Sequence, residues 1–465
     1  MWIAAFVLAA STGWLPVASA ATQDGEGASG EATSRPTARA IVILLMDDVS
    51  YADLGCSGNQ LRLTPHIDRL AADGVRCLRA YATAATCSPS RAAILTGRYQ
   101  QRFGHEFNPQ HKANKGQGLS AGEVTLARRL GWEGFATGII GKWHLGYGAP
   151  SHPLRHGFDE FYGFLSGARS YHAYTDGRSR RQNELNRLYN GNEPVDEDFV
   201  YLTTELGERA VDFIGRHAQE PFFLLLSFSA VHAPFQEDPE MKVEIPDSVD
   251  PKRAPALRML ASLDRAVGQV LGALEEHSRT ADTLVVLLSD NGGRVREGIT
   301  NWDLIGKKGE LFEGGVRVPL ILRWPDGLPR GVEYAQNVST LDLVPTVLAA
   351  AGCKLPEGLD GVDLAPFVFS SLEEVNHQGP HPILYWRQGE QWALLAGDHK
   401  IVDCGPGPFY RNLADPEGGF LVLSRDKPEA SLQARIDELI AAHRTWAKEL
   451  RDPSWRKYTL SKDKE

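Results

Sequence analysis

Cys87 stands in the stretch "AATCSPSRAAILTGRYQ", four residues before Arg91 and at the start of a run that reads as a helix. A structural thiol prefers apolar neighbours. A reactive one prefers a cation and a helix N-terminus. Elsewhere polar groups follow directly on apolar runs. "IVILLMDD" ends in Asp47-Asp48, "LVVLLSDNGG" contains Asp290-Asn291, and "FFLLLSFSAVHAPF" leads to His232. Adjacent carboxylates repel, and near a core they need a cation between them. Carboxylates with an amide oxygen suit a hard divalent ion, Ca²⁺ or Mg²⁺, rather than zinc. Taken singly, Asp-Asp is equally a helix cap, and Asp-Asn-Gly-Gly is equally a turn. "GIIGKWHLG" sets Lys142 and His144 two apart. If that stretch is extended, both project from one face, with Trp143 opposite. A cation beside an imidazole suits an anionic substrate and proton transfer. The plain alternative is a surface lysine and a core histidine.

Such groups need a scaffold to bring them together. Ala40–Met46, Phe222–Phe228, Leu284–Ser289 and Val318–Arg323 are continuous apolar runs and read as buried parallel strands. Between them lie helical patterns such as "TPHIDRLAADG", "YLTTELGERAVDFIGRHAQE" and "LRMLASLDRAVGQVLGALEEH". Alternating strands and helices predict an α/β fold with a doubly wound, mainly parallel sheet, which binds ligands beyond its carboxyl strand ends. After about Ser370 the chain alternates like an antiparallel meander. Ala430–Leu450 then sets Leu432, Ile436, Leu439, Ile440 and Trp446 at helical spacing. The predicted organisation is a signal segment 1–20, a leader 21–38, a main domain 39–375 and a smaller C-terminal sheet-plus-helix subdomain 376–465.

The chain has 465 residues, with 42% apolar and 23% charged residues, as in ordinary globular proteins. A net charge of −10 argues against a nucleic-acid binder. An anionic substrate must therefore meet a local positive pocket. The opening "MWIAAFVLAASTGWLPVASAATQ" reads as a secretory signal, with an uncleaved anchor as the alternative. It predicts export, to the periplasm or the medium. Nothing later is long and apolar enough to span a bilayer. Cys56, Cys77, Cys87, Cys353 and Cys404 make an odd count, of which four could pair in an exported protein. There is no Cys-x-x-Cys.

"CSPSRAAILTGRY" resembles the signature of type I sulfatases, Cys-x-Pro-x-Arg followed by Thr-Gly-Arg. Further blocks follow in the family's order: the Asp-Asp strand end, "GKWHLG", "GFDEFYGF", "VHAPF", "SDNGG", "GKKGELFEGGVRVP", "LDLVPTVLAAAG" and "NLADPEGG". The resemblance spans roughly residues 38 to 420. It implies an alkaline-phosphatase-like fold and hydrolysis of sulfate esters.

The resemblance also implies roles for individual residues. Cys87 is oxidised after translation to formylglycine (3-oxoalanine) by a maturation system. The hydrated aldehyde attacks sulfur and later expels sulfate by re-forming the aldehyde, which a plain serine or cysteine cannot do. Asp47, Asp48, Asp290 and Asn291 hold one Ca²⁺, with modified Cys87 also facing the ion. Arg91 orients the nucleophile. Lys142 and Lys308 bind the sulfate; in "GKKGE" the family pattern selects the lysine directly before Gly, Lys308 rather than Lys307. His144 takes the proton from the diol, and His232 gives one to the leaving alcohol. "GFLSGARSYHAYTDGRSRRQNELN" offers Arg169 and His172 as substrate contacts, or else is a plain surface loop. The expected substrate is a small-molecule or polysaccharide sulfate ester, above all a sulfated sugar. Rival readings are a phosphonate or phosphate monoester hydrolase of the same superfamily, and an inactive anion- or carbohydrate-binding relative.

Overall fold

Strand β1 (Ala40–Met46) is buried along its whole length. Ile41, Ile43 and Leu45 pack on one face, and Val42, Leu44 and Met46 on the other. A strand of this kind needs cover on both sides. Helices Leu126–Trp132 and Leu343–Ala350 cover the first face. Helices Pro65–Ala72, Leu202–Arg216 and Ala254–Glu276 cover the second. The structure, a computed structural model, describes residues 36–455 apart from 111–115, 175–185, 295–300, 302–303, 371–378 and 416. The residues read as a signal segment, most of those read as a leader and the expected boundary at 375/376 lie outside the described residues.

The other strands of the main sheet are β2 (Val75–Tyr81), β3 (Ala136–Lys142), β4 (Glu160–Phe164), β5 (Tyr189–Asn190) and β6 (Glu193–Pro194), followed by β7 (Phe222–Ser227), β8 (Thr283–Ser289), β9 (Arg317–Arg323) and β10 (Val332–Ser339). Their order is β10-β2-β9-β8-β1-β7-β3-β4-β5-β6. From β8 to β4 all neighbours are parallel. This is the doubly wound, mainly parallel sheet that the sequence predicts. One strand departs from expectation: Val318–Arg323, read as parallel, is antiparallel to both β8 and β2. A parallel return to β8 would need a crossover element packed on the sheet. Among the described residues between β8 and β9 the only helix is the single turn Glu313–Val316. The chain therefore doubles back, and the segment before β9 lies at the carboxyl ends of the parallel strands.

A second, five-stranded antiparallel sheet follows: β11 (Leu384–Gln388), β12 (Gln391–Ala396), β13 (His399–Asp403), β14 (Pro408–Asn412) and β15 (Leu421–Val422). Leu394, Ile401 and Tyr410 pack against Ile436 and Leu439 of helix Ala430–Ala447. The opposite face sets Trp386, Leu395 and Val402 against Tyr81, Leu311 and Val316 at the carboxyl end of the main sheet. Trp386 Nε1–H donates to the Ala82 carbonyl at 2.7 Å. From Pro36 onward the chain forms one compact unit. All five cysteines are free thiols, so the four that could pair do not. No helix among the described residues is long and apolar enough to cross a membrane.

Gly141 sits at the carboxyl end of β3 with φ +108°, and a Cβ there would lie 2.0 Å from the Ser227 carbonyl oxygen of β7. Both the backbone angle and the space demand glycine. Gly141→Ala is predicted to destabilise the fold by about 2–4 kcal/mol. Thermal unfolding checks it, and an unchanged midpoint contradicts it.

Candidate active site

Adjacent parallel strands deliver polar groups to one end of the sheet. β1 runs into Asp47-Asp48, β8 into Asp290-Asn291, β3 ends on Lys142, and β7 ends on Ser227 before the segment that carries His232. Cys87 is the first residue of helix Cys87–Thr96, which follows β2. Lys308 arrives from the segment before β9. Its backbone N–H donates to the Gly293 carbonyl at 3.0 Å, and the N–H of Gly309 donates to the Ala85 carbonyl at 2.7 Å. These two bonds tie the lysine to the Cys87 loop and to the Asp290 turn.

Consecutive residues of a strand point to opposite faces. Asp48 escapes that rule with a left-handed φ of 63°, so both carboxylates turn into one cluster. His144 does the same with φ 58°. The extended reading of Lys142–His144 therefore fails: the strand stops at Lys142, Trp143 enters the core, and a turn swings His144 round. Gly167 makes room for the imidazole; a Cβ there would lie 2.4 Å from His144 Nε2.

The cluster is a buried web of charge. Lys142 Nζ donates to Asp47 Oδ2. Lys308 Nζ donates to both carboxylate oxygens of Asp48, at 2.6 and 2.8 Å, and lies 3.1 Å from Cys87 Sγ. Arg91 Nε donates to Asp290 Oδ2 at 2.8 Å, and its second arm donates to Ser227 Oγ at 2.7 Å and to the Lys142 carbonyl at 3.2 Å. Ser227 Oγ donates in turn to that carbonyl at 2.6 Å. His232 Nδ1 donates to the Ala233 carbonyl at 2.6 Å, which leaves Nε2 facing Asp48 Oδ2 at 3.8 Å.

Oxygen donors dominate. Single atoms of Asp47, Asp48, Cys87 and His232 lie within 4.8 Å of one another. Asp290 borders them through Arg91, and its Oδ1 accepts from the Asp48 N–H at 3.4 Å. Asn291 Nδ2 donates to Asp48 Oδ1 at 2.8 Å. Asn291 Oδ1 is buried and has no hydrogen-bond partner among the described residues. A buried, unpaired amide oxygen beside carboxylates fits a hard cation.

Burial raises the pKa of Asp47, but Lys142, His232, Arg91 and Lys308 outweigh it and hold the carboxyl well below the usual range. Asp290 goes the other way, raised by burial and by Asp47 against Arg91 and Lys142. Burial, then Lys142 and Arg91, keep His144 neutral. Burial also lowers His232, with Asp47 and Asp48 pulling upward against it. Cys87 has both features of a reactive thiol, a helix start and a nearby lysine. Even so, burial and Asp290 push its pKa up to about 12. Burial thus favours the thiol over the thiolate.

The two substrate-contact candidates stand apart from this web. Arg169 is buried and forms a two-pronged pair with Glu197, at 3.0 and 2.7 Å; its Nε donates to the Ser170 carbonyl. Glu197 also accepts from the N–H groups of Tyr174 and Leu188, so the pair staples the loop. His172 is half-buried beside Tyr201. The rest of that loop, 175–185, lies outside the described residues. Sequence reasoning passes over Ser227 and Tyr171. Tyr171 Oη donates to the carbonyls of Ser229 and His232, at 2.5 and 2.8 Å, and so fixes the His232 turn. Ser227 has a readable signal: like Asp47, it is a polar residue at the end of an apolar strand.

Comparison with known proteins points the same way. A family model described as Sulfatase matches residues 39–353. N-acetylgalactosamine-6-sulfatase of Canis lupus familiaris is 34% identical over 417 residues, covering 84% of this chain and 76% of that protein. Steryl-sulfatase of Mus musculus is 34% identical over 425 residues, covering 72% of this chain and 66% of that protein. Among solved structures, Ps i-CgsB in complex with k-i-k-neocarrahexaose matches with a TM-score of 0.83 and 30% identity, over 92% of this chain and 96% of the other.

Ser88, beside Cys87, has its Oγ 2.7 Å from His105 Nε2. Burial pushes the His105 pKa down to about 3. The folded chain keeps this ring neutral, while the unfolded chain takes up a proton below about pH 6.5. Stability is therefore lost as pH falls from about 6.5 towards 3. Between about pH 7 and about pH 5, the wild type is predicted to lose ~2 kcal/mol more unfolding free energy than His105→Gln. Urea unfolding at the two pH values measures this, and equal losses contradict it.

Proposed function

The chain belongs to the sulfatase family, and from that premise we propose that it hydrolyses sulfate monoesters on a sulfated sugar or polysaccharide, with Cys87 matured to formylglycine and one Ca²⁺ at the strand ends. The observation that carries this reading is the cluster itself. Buried carboxylates, buried cations and a protonated thiol meet at one end of the sheet. Two relatives favour a sugar: one named for N-acetylgalactosamine 6-sulfate, the other solved with a neocarrahexaose.

Asp47, Asp48, Asp290 and Asn291 would hold the ion, and the unpaired Asn291 Oδ1 supports that assignment. Ca²⁺ there would supply Lewis-acid polarisation of the sulfate oxygens. Formylglycine at position 87 would supply a geminal diol as nucleophile, a group able to release sulfate by re-forming its aldehyde. The other steps belong to this chain's side chains. Lys308, already 3.1 Å from Sγ, and Lys142 take the charge of the sulfate as the ester bond breaks. Arg91, fixed by Asp290 and Ser227, orients the group at position 87. His144, neutral in its buried niche, accepts the proton released at position 87. His232 carries the proton for the leaving oxygen; its lowered pKa makes the imidazolium a stronger acid. Export to the periplasm or medium is part of the proposal and rests on the opening apolar segment.

The test compares 4-nitrophenyl sulfate with 4-nitrophenyl phosphate on matured protein. We predict that kcat/KM favours sulfate by at least about tenfold, ~1.4 kcal/mol of differential transition-state binding. Faster turnover of the phosphate would make the chain a phosphate monoester hydrolase and sink the reading.

A further inference from the structure

Beside the strand-end cluster, where the second sheet meets the main one, lies a cavity of about 710 Å³. None of Asp47, Asp48, Cys87, His232, Asp290 and Lys308 lines it. One chain segment nevertheless serves both places. Lys308 reaches into the cluster, and Phe312 and Glu313, a few residues on, form part of the cavity wall.

The wall has an unusual chemical make-up. Arg79, Arg317, Lys400 and Arg411 line it against Glu313 and Glu417, with Arg79 paired to Asp398, so cations outnumber carboxylates by one in a chain whose net charge is −10. Lys400 is 2% exposed. Its Nζ lies 3.9 Å from the centre of the Trp386 ring and 3.6 Å from Glu313 Oε1. Among the described residues, neither Lys400 Nζ nor Glu313 Oε1 has a hydrogen-bond partner. Glu313 Oε2 is satisfied, accepting from Tyr81 Oη at 2.9 Å. The two groups face each other as a buried ion pair just beyond hydrogen-bond reach, and each keeps hydrogen-bonding capacity to spare. A hydroxyl group answers both, donating to the carboxylate and accepting from the ammonium. The rest of the wall is apolar, with Leu304, Ile305 and Leu413 beside Phe312 and Phe420. Phe312 and Phe420 meet edge to face at 5.5 Å, and the Arg411 guanidinium lies over Phe420 at 5.4 Å.

A donor–acceptor pair for hydroxyls, aromatic faces for a sugar's C–H surface and surplus positive charge together describe an anionic sugar. We propose that this cavity is a second subsite, separate from the strand-end cluster, that binds a sulfated sugar unit of an oligosaccharide or polysaccharide. The proposal rests on the reading that the substrate is a sulfated saccharide. Burial lowers the Lys400 pKa to about 8, so an arriving anion also secures its proton.

Isothermal titration calorimetry with a dextran sulfate hexasaccharide tests the proposal, with excess inorganic sulfate present to occupy the strand-end cluster. The wild type is expected to bind the probe under those conditions, and to bind the unsulfated dextran hexasaccharide at least about tenfold more weakly. Lys400→Met and Arg411→Gln are each expected to weaken probe binding by about tenfold or more. Arg411 is half-buried on the wall and carries the test if Lys400→Met does not fold. No binding in the presence of sulfate, equal binding of the unsulfated chain, or variants that bind like the wild type overturn the proposal. Hydrolysis of 4-nitrophenyl sulfate by the wild type keeps the two readings apart. If it is absent while sulfate-resistant probe binding stands, the hydrolytic reading fails and the subsite survives.

Discussion

The structure depends on one constraint: three carboxylates, Asp47, Asp48 and Asp290, are buried together at the ends of parallel strands. Left alone they could not stay ionised. Lys142, Lys308 and Arg91 enter the same space and balance them, each through a direct contact. Because Lys142 and Arg91 are as buried as the acids and Lys308 is largely buried, the balance is stiff. Removing any one member would leave an uncompensated charge in a low-dielectric pocket. That stiffness suits a site for a doubly charged ion and an anionic ester.

The sheet explains how so many ionic groups reach one place. Its central strands are parallel, so every carboxyl end delivers its next residue to the same side. The reversed strand β9 completes the set, because its approach segment carries Lys308 to that side from the opposite direction. Left-handed turns at Asp48 and His144 then let residues next to a strand end face inward. The second sheet closes over the neighbouring flank, with Trp386 pinned to the Ala82 carbonyl just ahead of the Cys87 loop.

Much of this is legible in the residues alone. Asp47-Asp48 and Asp290-Asn291 announce themselves as polar pairs that end apolar runs, and the runs themselves disclose the parallel sheet. What stays hidden is what needs tertiary contact. The direction of β9 goes with the lack of a crossover element among the described residues before it, not with its own apolar sequence. The φ angles of Asp48 and His144 are set by surrounding packing, so period-two reasoning misplaces His144. Arg169 reads as a substrate contact or a surface-loop residue, and its pairing with Glu197, 28 positions on, shows only in the structure. The free thiols likewise show that an even subset of cysteines in an exported-looking chain does not by itself make disulfides.

Position 87 is where the proposed chemistry begins. Burial and Asp290 push the pKa of its thiol up, and the proposed chemistry replaces that sulfur with the oxygens of an aldehyde hydrate. Mass spectrometry of the peptide containing Cys87, from protein purified from its native host, tests this directly. The predicted result is an aldehyde, with the sulfur exchanged for oxygen. An intact cysteine throughout a preparation that actively hydrolyses sulfate esters would contradict it.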